Sequence, residues 1–255
     1  MRPSNGERMS EQKQTEIAPS NASDVITPEQ ARRAFYVDFE GRQKEPEMLL
    51  GVSWQRYKTG PPSLRHYIVD KRLAPIADQI VMDGDDIAEH EWVITTTRNA
   101  ITELLRLAKK QDRLVIAWSR HDFGVVAKGR GLSSYQRRHL VPRYRDAKAT
   151  AKKWVNRGIA SQPLPPGENH SLDRYQQLIG YNVPDVFGTG RTGENLGKLI
   201  DALDKRSAWD DLTGRQQEYA IEVVGHNYHD LYGMRAATIR AAEETAAWEA
   251  RQARG

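Results

Sequence analysis

The chain predicts an α/β fold, a mixed β-sheet flanked by helices with a helical C-terminal half, on three features of its 255 residues. Three β-prone segments follow one another near the start, separated by Gly/Pro-containing turns. A helical period and a further short apolar run come next, and beyond Tyr135 the composition is mostly helical. Strands, a helix, another strand and then helices is the order in which a mixed sheet acquires helical layers on its faces.

Met1 to Thr27 is rich in Ser, Glu, Gln and Asn and holds no apolar run of signal-peptide length, so residues 1–30 are expected as a disordered polar tail. Arg33 to Phe39, Met48 to Tyr57 and Leu64 to Val69 read as an antiparallel meander, broken at Gly41 to Pro46 and Gly60 to Ser63. Trp92 to Lys110 carries apolar residues at a helical period and ends in cations, which suit a helix C-terminus. Arg113 to Trp118 reads as a fourth strand, with a helix from Phe123 to Lys128 behind it. Later helices are expected at Arg145 to Asn156, Ser171 to Ile179 and Glu194 to Leu203, and in a long final segment that includes Gln216 to Ala242. One domain over residues 31–242 is expected, with 243–255 a helical or frayed tail.

No stretch approaches the roughly 18 consecutive apolar residues of a membrane helix, so no membrane partner is expected. The chain has no cysteine, which removes disulfide frameworks and thiolate metal sites and fits a cytoplasmic location. Its net charge of +4 is unevenly spread. From Lys128 to Arg157 ten basic residues meet one acid, Asp146, with Tyr135, Tyr144 and Trp154 interleaved. Arg137, Arg138, Arg143 and Arg145 lie at its centre. Such a segment reads either as a solvated face or as a surface that tracks phosphates and stacks bases.

Two short strings hold the candidate chemistry. In Ala34-Phe35-Tyr36-Val37-Asp38-Phe39-Glu40-Gly41, strand periodicity puts Asp38 and Glu40 on one face, a carboxylate pair on a rigid platform. In Gly225-His226-Asn227-Tyr228-His229-Asp230, helical composition puts His226 and Asp230 on one face at i and i+4. Asp122 follows the fourth strand, at the carboxyl edge of the sheet where α/β sites usually lie.

Tyr36-Val37-Asp38-Phe39-Glu40-Gly41, Trp118-Ser119-Arg120-His121-Asp122-Phe123 and His226-Asn227-Tyr228-His229-Asp230 together resemble the DEDD arrangement of ribonuclease H-like 3′–5′ exonucleases. The resemblance is to the YprB-type ribonuclease H-like domains and spans about Ala34 to Arg240. Ser171 to Gly180 is similar to the helix those domains place before a Gly-rich loop. The resemblance implies a ribonuclease H-like sheet and a two-metal-ion nuclease, acting on single-stranded DNA or RNA ends with 3′–5′ polarity. Asp38, Glu40, Asp122 and Asp230 would hold two Mg2+ or Mn2+ ions, and His226, where the family carries Tyr, would orient or deprotonate the attacking water. Before Asp122 the family tends to carry Asn and Phe where this chain has Ser119 and His121, so Asp112, Asp146 and Asp173 stay open as alternatives.

Gly188-Thr189-Gly190-Arg191-Thr192-Gly193 matches a dinucleotide-binding pattern but lacks the preceding buried strand, and is read as a loop before the Glu194 helix. The rival to a nuclease is a non-catalytic module that retains the fold and binds nucleic acid or protein. The remaining histidines, His66, His90, His121, His139, His170 and His229, are read as structural.

Overall fold

The structure is a computed structural model, and it describes residues 25–42, 45–57, 59–82, 87–118, 122–127, 129, 131–162, 164–165, 168–188 and 190–254. The tail to Asp24, the stretch 119–121, and Lys128, Arg130 and Thr189 lie outside the described residues.

Order begins inside the segment expected as tail. Helix α1 (Pro28–Arg33) opens with a capping box in which Gln30 N donates to the Thr27 hydroxyl at 3.2 Å and Thr27 N donates to Gln30 Oε1 at 3.0 Å. Proline at the first helical position and this box favour a helix start, and buried Ile26 pins it to the core.

Strands β1 (Phe35–Gly41), β2 (Glu47–Trp54) and β3 (Ser63–Ile68) form the expected antiparallel meander. Next come β4 (His90–Ile94), α2 (Thr97–Lys110), β5 (Val115–Ala117), a π-helical turn (Phe123–Ala127), α3 (Ser134–Leu140), β6 (Tyr144–Asp146) and α4 (Ala147–Asn156). Helices α5 (Leu172–Ile179), α6 (Thr192–Leu203) and α7 (Gly214–Gln252) complete the chain. The six strands make one mixed sheet in the order β4-β3-β2-β1-β5-β6. β4 is parallel to β3, β5 to β1 and β6 to β5, so β2 alone runs against the rest. One edge of the sheet thus collects the carboxyl ends of five strands.

Two strands occupy the starts of segments expected as helix. β4 takes the first residues of Trp92 to Lys110, and β6 takes the first residues of Arg145 to Asn156. In each case a cap sets the boundary: Asn99 N donates to the Thr96 hydroxyl, and Lys148 N donates to Asp146. A cap residue is itself extended, and the chain before it is free to pair with a sheet. Helix α7 outruns its expected bounds at both ends, from a Thr213–Gln216 capping box to Gln252, 39 residues or roughly 58 Å. The expected C-terminal tail supplies its last turns.

Strand alternation divides the core. Phe35, Val37 and Phe39 pack with Leu50, Val52, Ile101, Leu104 and Leu105 on the α2 face. Tyr36 faces the other way, into the layer of α1, α4, α5 and α7. The same face continues through Leu49, Ile68 and the α6 and α7 residues Leu199, Val223 and Val224. Among the described residues no helix is long and apolar enough to cross a membrane.

Candidate active site

The alternation that buries Val37 and Phe39 against α2 turns Asp38 and Glu40 to the α7 face, at the carboxyl end of β1. A register irregularity between Glu40 and Gly41 lies at that end, where bulges commonly re-aim side chains. Asp122 opens the π-helical turn after β5 and is 1% exposed. Asp230 and His226 arrive from the middle of α7, which crosses β1 and β2. The four carboxylates thus come from three parts of the chain that meet at one sheet edge.

Their charges are coupled. Burial, followed by the fields of Glu40, Asp122 and Asp230, holds the Asp38 carboxyl well above the usual carboxylate range. Burial likewise pushes Glu40 up to about 7, with Asp230 and Asp122 adding to it against the opposing pull of His226. Each of the two carboxyls acts on the other, so they do not ionise independently. Burial raises Asp230 too, and Asp173 of α5 adds to the rise, while His226 and a hydrogen bond from Gln176 oppose it. Burial acts to lower His226, but Asp230, Glu40 and the Phe187 carbonyl outweigh it and leave His226 above its ordinary value. A carbonyl only accepts, so the 2.7 Å contact to Phe187 O puts a proton on His226 Nδ1. That leaves Nε2, 3.5 Å from Asp230 Oδ2, as its basic atom.

Sequence reasoning missed two amides that hold these carboxylates. Asn227 Nδ2 donates to Asp38 Oδ2 at 2.7 Å and to the Asp38 backbone carbonyl at 3.2 Å. Gln176 Nε2 donates to the His229 carbonyl at 3.1 Å and its side chain hydrogen-bonds Asp230. Each amide lies where a glycine leaves room. A Cβ on Gly51 would overlap Asn227 Oδ1, and one on Gly233 would overlap Gln176 Nε2. The available signal was a glycine inside an apolar strand and another inside a helix, both marks of close approach.

The alternatives to Asp122 separate by position. Asp112 is 86% exposed, pairs with Arg143 at 2.9 Å and lies before β5, at the opposite edge. Asp146 caps α4 at the carboxyl end of β6, and Asp173 acts on Asp230 from α5. Of these candidates, Asp122 is the one whose charge is among the leading influences on both Asp38 and Glu40.

The basic segment is not one stripe. Arg143 is committed to Asp112, Arg145 Nη1 donates to the carbonyls of Pro142 and Tyr144 at 2.7 Å each, and Lys153 and Arg157 both bind Glu249 of α7. Arg137 and Arg138 stand exposed on α3. Lys148 and Lys152, on the helix that Asp146 caps at the carboxyl end of β6, act on Asp146 and His170.

Among the described residues no group of three or more His, Asp or Glu side chains is gathered closely enough to hold a metal ion. The donor set still suits a hard divalent cation, because its members are carboxylate oxygens whose mutual repulsion a cation would relieve. A cation bound there would compete with protons, which Asp38 and Glu40 hold more tightly than ordinary carboxylates do. No protein-family model matches the chain, and neither a curated protein nor a solved structure matches it.

Proposed function

We propose that the chain is a metal-dependent nuclease of the ribonuclease H-like DEDD type, a 3′–5′ exonuclease acting on single-stranded DNA or RNA ends. The observation that carries the reading is the electrostatic coupling of Asp38, Glu40, Asp122 and Asp230 at one sheet edge. Carboxylates buried together repel, and such clusters belong to sites rather than to stable cores. The strand order supports it: an antiparallel β3-β2-β1 followed by parallel β5 and β6 is the ribonuclease H-like order, with β4 added outside.

Asp38, Glu40, Asp122 and Asp230 would hold two Mg2+ or Mn2+ ions. When bound, such ions supply charge compensation for both the attacking and the leaving oxygen of an in-line displacement. His226 Nε2 takes the proton as a water oxygen bonds to phosphorus, and the bond to the 3′-oxygen of the preceding nucleotide breaks, that oxygen taking up a proton from solvent. A 5′-nucleotide and a shortened strand leave. Asn227 and Gln176 keep the Asp38 and Asp230 carboxylates oriented, and Lys148 and Lys152 offer phosphate contacts from α4.

The second reading is the non-catalytic module that binds nucleic acid or protein, and the ungathered donor geometry favours it. A manganese titration followed by thermal unfolding separates the two. A ligand at a hundred times its dissociation constant stabilises the folded state by about 2.7 kcal/mol, roughly 5–10 °C for a chain of this size. The nuclease reading expects a rise of that order in the wild type and none in Asp38→Asn. No rise in the wild type selects the module.

A further inference from the structure

Four hydrogen bonds run in series from the backbone of Met82 to the carboxylate of Asp38. Met82 N donates to His90 Nδ1 at 3.1 Å, and His90 Nε2 lies 2.8 Å from His66 Nδ1. His66 Nε2 lies 3.1 Å from Asn227 Oδ1, and Asn227 Nδ2 donates to Asp38 Oδ2 at 2.7 Å. The sheet register makes this path. Asp38, Gly51, His66 and Trp92 face one another across β1, β2, β3 and β4. Gly51 has no side chain, and Asn227 reaches down from α7 into that gap to join β1 to β3. Trp92 stacks on the His66 ring with centroids 4.9 Å apart. His66 and Asn227 are fully buried, so water does not substitute for a missing partner.

Backbone groups at the two ends fix the direction independently. The Asp38 carbonyl can only accept, so Asn227 turns its NH2 to Asp38 and its Oδ1 to His66. Asn227 Oδ1 then requires a proton on His66 Nε2. From the other end, the Met82 N–H can only donate, so His90 Nδ1 is bare and its proton sits on Nε2. That proton points at His66 Nδ1, which is the bare nitrogen of the tautomer Asn227 demands. Both ends therefore require the same pair of tautomers, and a second proton on either ring would set two donors against each other. Burial, with the neighbouring His90 acting on His66, lowers His66 to about 3, and burial lowers His90 to about 4, in keeping with two neutral rings.

We infer that His90, His66 and Asn227 form a one-way hydrogen-bond chain that positions the Asp38 carboxylate for its role at the site. The inference rests on the reading of Asp38 as a metal-holding carboxylate, and it gives His66 and His90 a part beyond packing. They are positioning residues, acting on the site only through Asn227.

Two measurements on the full chain test it. In metal-free protein at neutral pH with 15N-labelled histidine, the imidazole nitrogen shifts should show His66 and His90 neutral, each with its proton on Nε2. A proton on Nδ1 of either ring overturns the chain. Manganese affinity is then compared in wild type, His66→Gln and His66→Leu. Gln retains an N–H for Asn227 Oδ1 and Leu does not, so His66→Leu should bind manganese about tenfold more weakly while His66→Gln stays within about threefold of wild type. Equal affinity in wild type and His66→Leu, or an equal loss in both variants, overturns the positioning role. If wild type binds no manganese the nuclease reading falls, and with it the role of Asp38, while the tautomers still decide whether the chain exists.

Discussion

Glu40 shows how a single side chain records the chemistry of its surroundings. Its carboxyl titrates near 7 in the folded chain and near 4.5 when exposed, so the folded state binds the extra proton between those values. The stability this contributes is complete below about 4.5 and is lost as pH rises through 7. Glu40→Gln, a neutral mimic of the protonated form, should therefore stabilise the metal-free protein at pH 8, on the order of 1–3 kcal/mol, and change little at about pH 4.5. Urea midpoints at the two pH values check this, and an equal effect at both would refute the coupling. His66 and His90 have the opposite sign. Their folded values lie below the unfolded one, so the stability tied to them is present above about 6.5 and drains as pH falls toward 4 and 3. Against burial, Asp230, Glu40 and the Phe187 carbonyl hold His226 above its ordinary value in the metal-free chain, and if it is the base of the proposed reaction, rate should fall along an acidic limb as pH drops through its pKa. In saturating manganese, His226→Tyr should move that limb while keeping some activity, and profiles that overlay throughout would reduce His226 to a structural residue. The carboxylates were legible in the sequence because strand and helix periodicity place neighbours on one face. Asn227, Gln176 and His66 were not, because their partners lie far away in the chain, 189 positions for Asn227 and Asp38 and 161 for His66 and Asn227.

Helix α7 is the element that closes the site, since it carries Asp230, His226 and Asn227 on consecutive turns and packs on β1 and β2. Its approach to α5 depends on Gly233, over which Gln176 passes to reach Asp230. Gly233→Ala should cost about 1–3 kcal/mol through overpacking, read as a lower urea midpoint at unchanged slope. Shortening the opposing side chain with Gln176→Ala in the same protein should return part of that stability, because residues in contact do not act additively. Strictly additive losses would show that the two do not compete for the space. The meander was legible from apolar segments between Gly/Pro turns, and the helices from their periods. β4 and β6 were not. His90-Glu91-Trp92-Val93-Ile94 runs straight into a helical pattern, and Tyr144-Arg145-Asp146 is three residues with two charges, so neither has strand periodicity of its own.

Across the whole molecule, charge is arranged by edge. The carboxylates lie at the carboxyl ends of the strands, Lys148 and Lys152 follow Asp146 on the helix it caps after β6, and Arg143 is tied to Asp112 at the other edge. If the carboxylate edge is where a strand of nucleic acid lies, replacing Lys148 and Lys152 with Gln should weaken single-stranded binding and flatten its log–log salt slope by about 1.4, at roughly 0.7 per phosphate contact. Arg143→Gln should leave the slope unchanged; the reverse pattern would put the nucleic acid at the other edge. The parallel placement of β5 beside β1 is what brings Asp122 to Asp38, and no local pattern in the chain encodes that pairing. Whether these carboxylates hydrolyse phosphodiesters is tested most directly by incubating a 5′-labelled single strand with the full chain in manganese, alongside Asp38→Asn, a near-isosteric change that removes the charge of one ligand. Progressive shortening from the 3′ end by the wild type, and none by a folded Asp38→Asn, is the expected result. Wild-type rates of cleavage by Asp38→Asn, or no cleavage of DNA or RNA by the wild type, would contradict it.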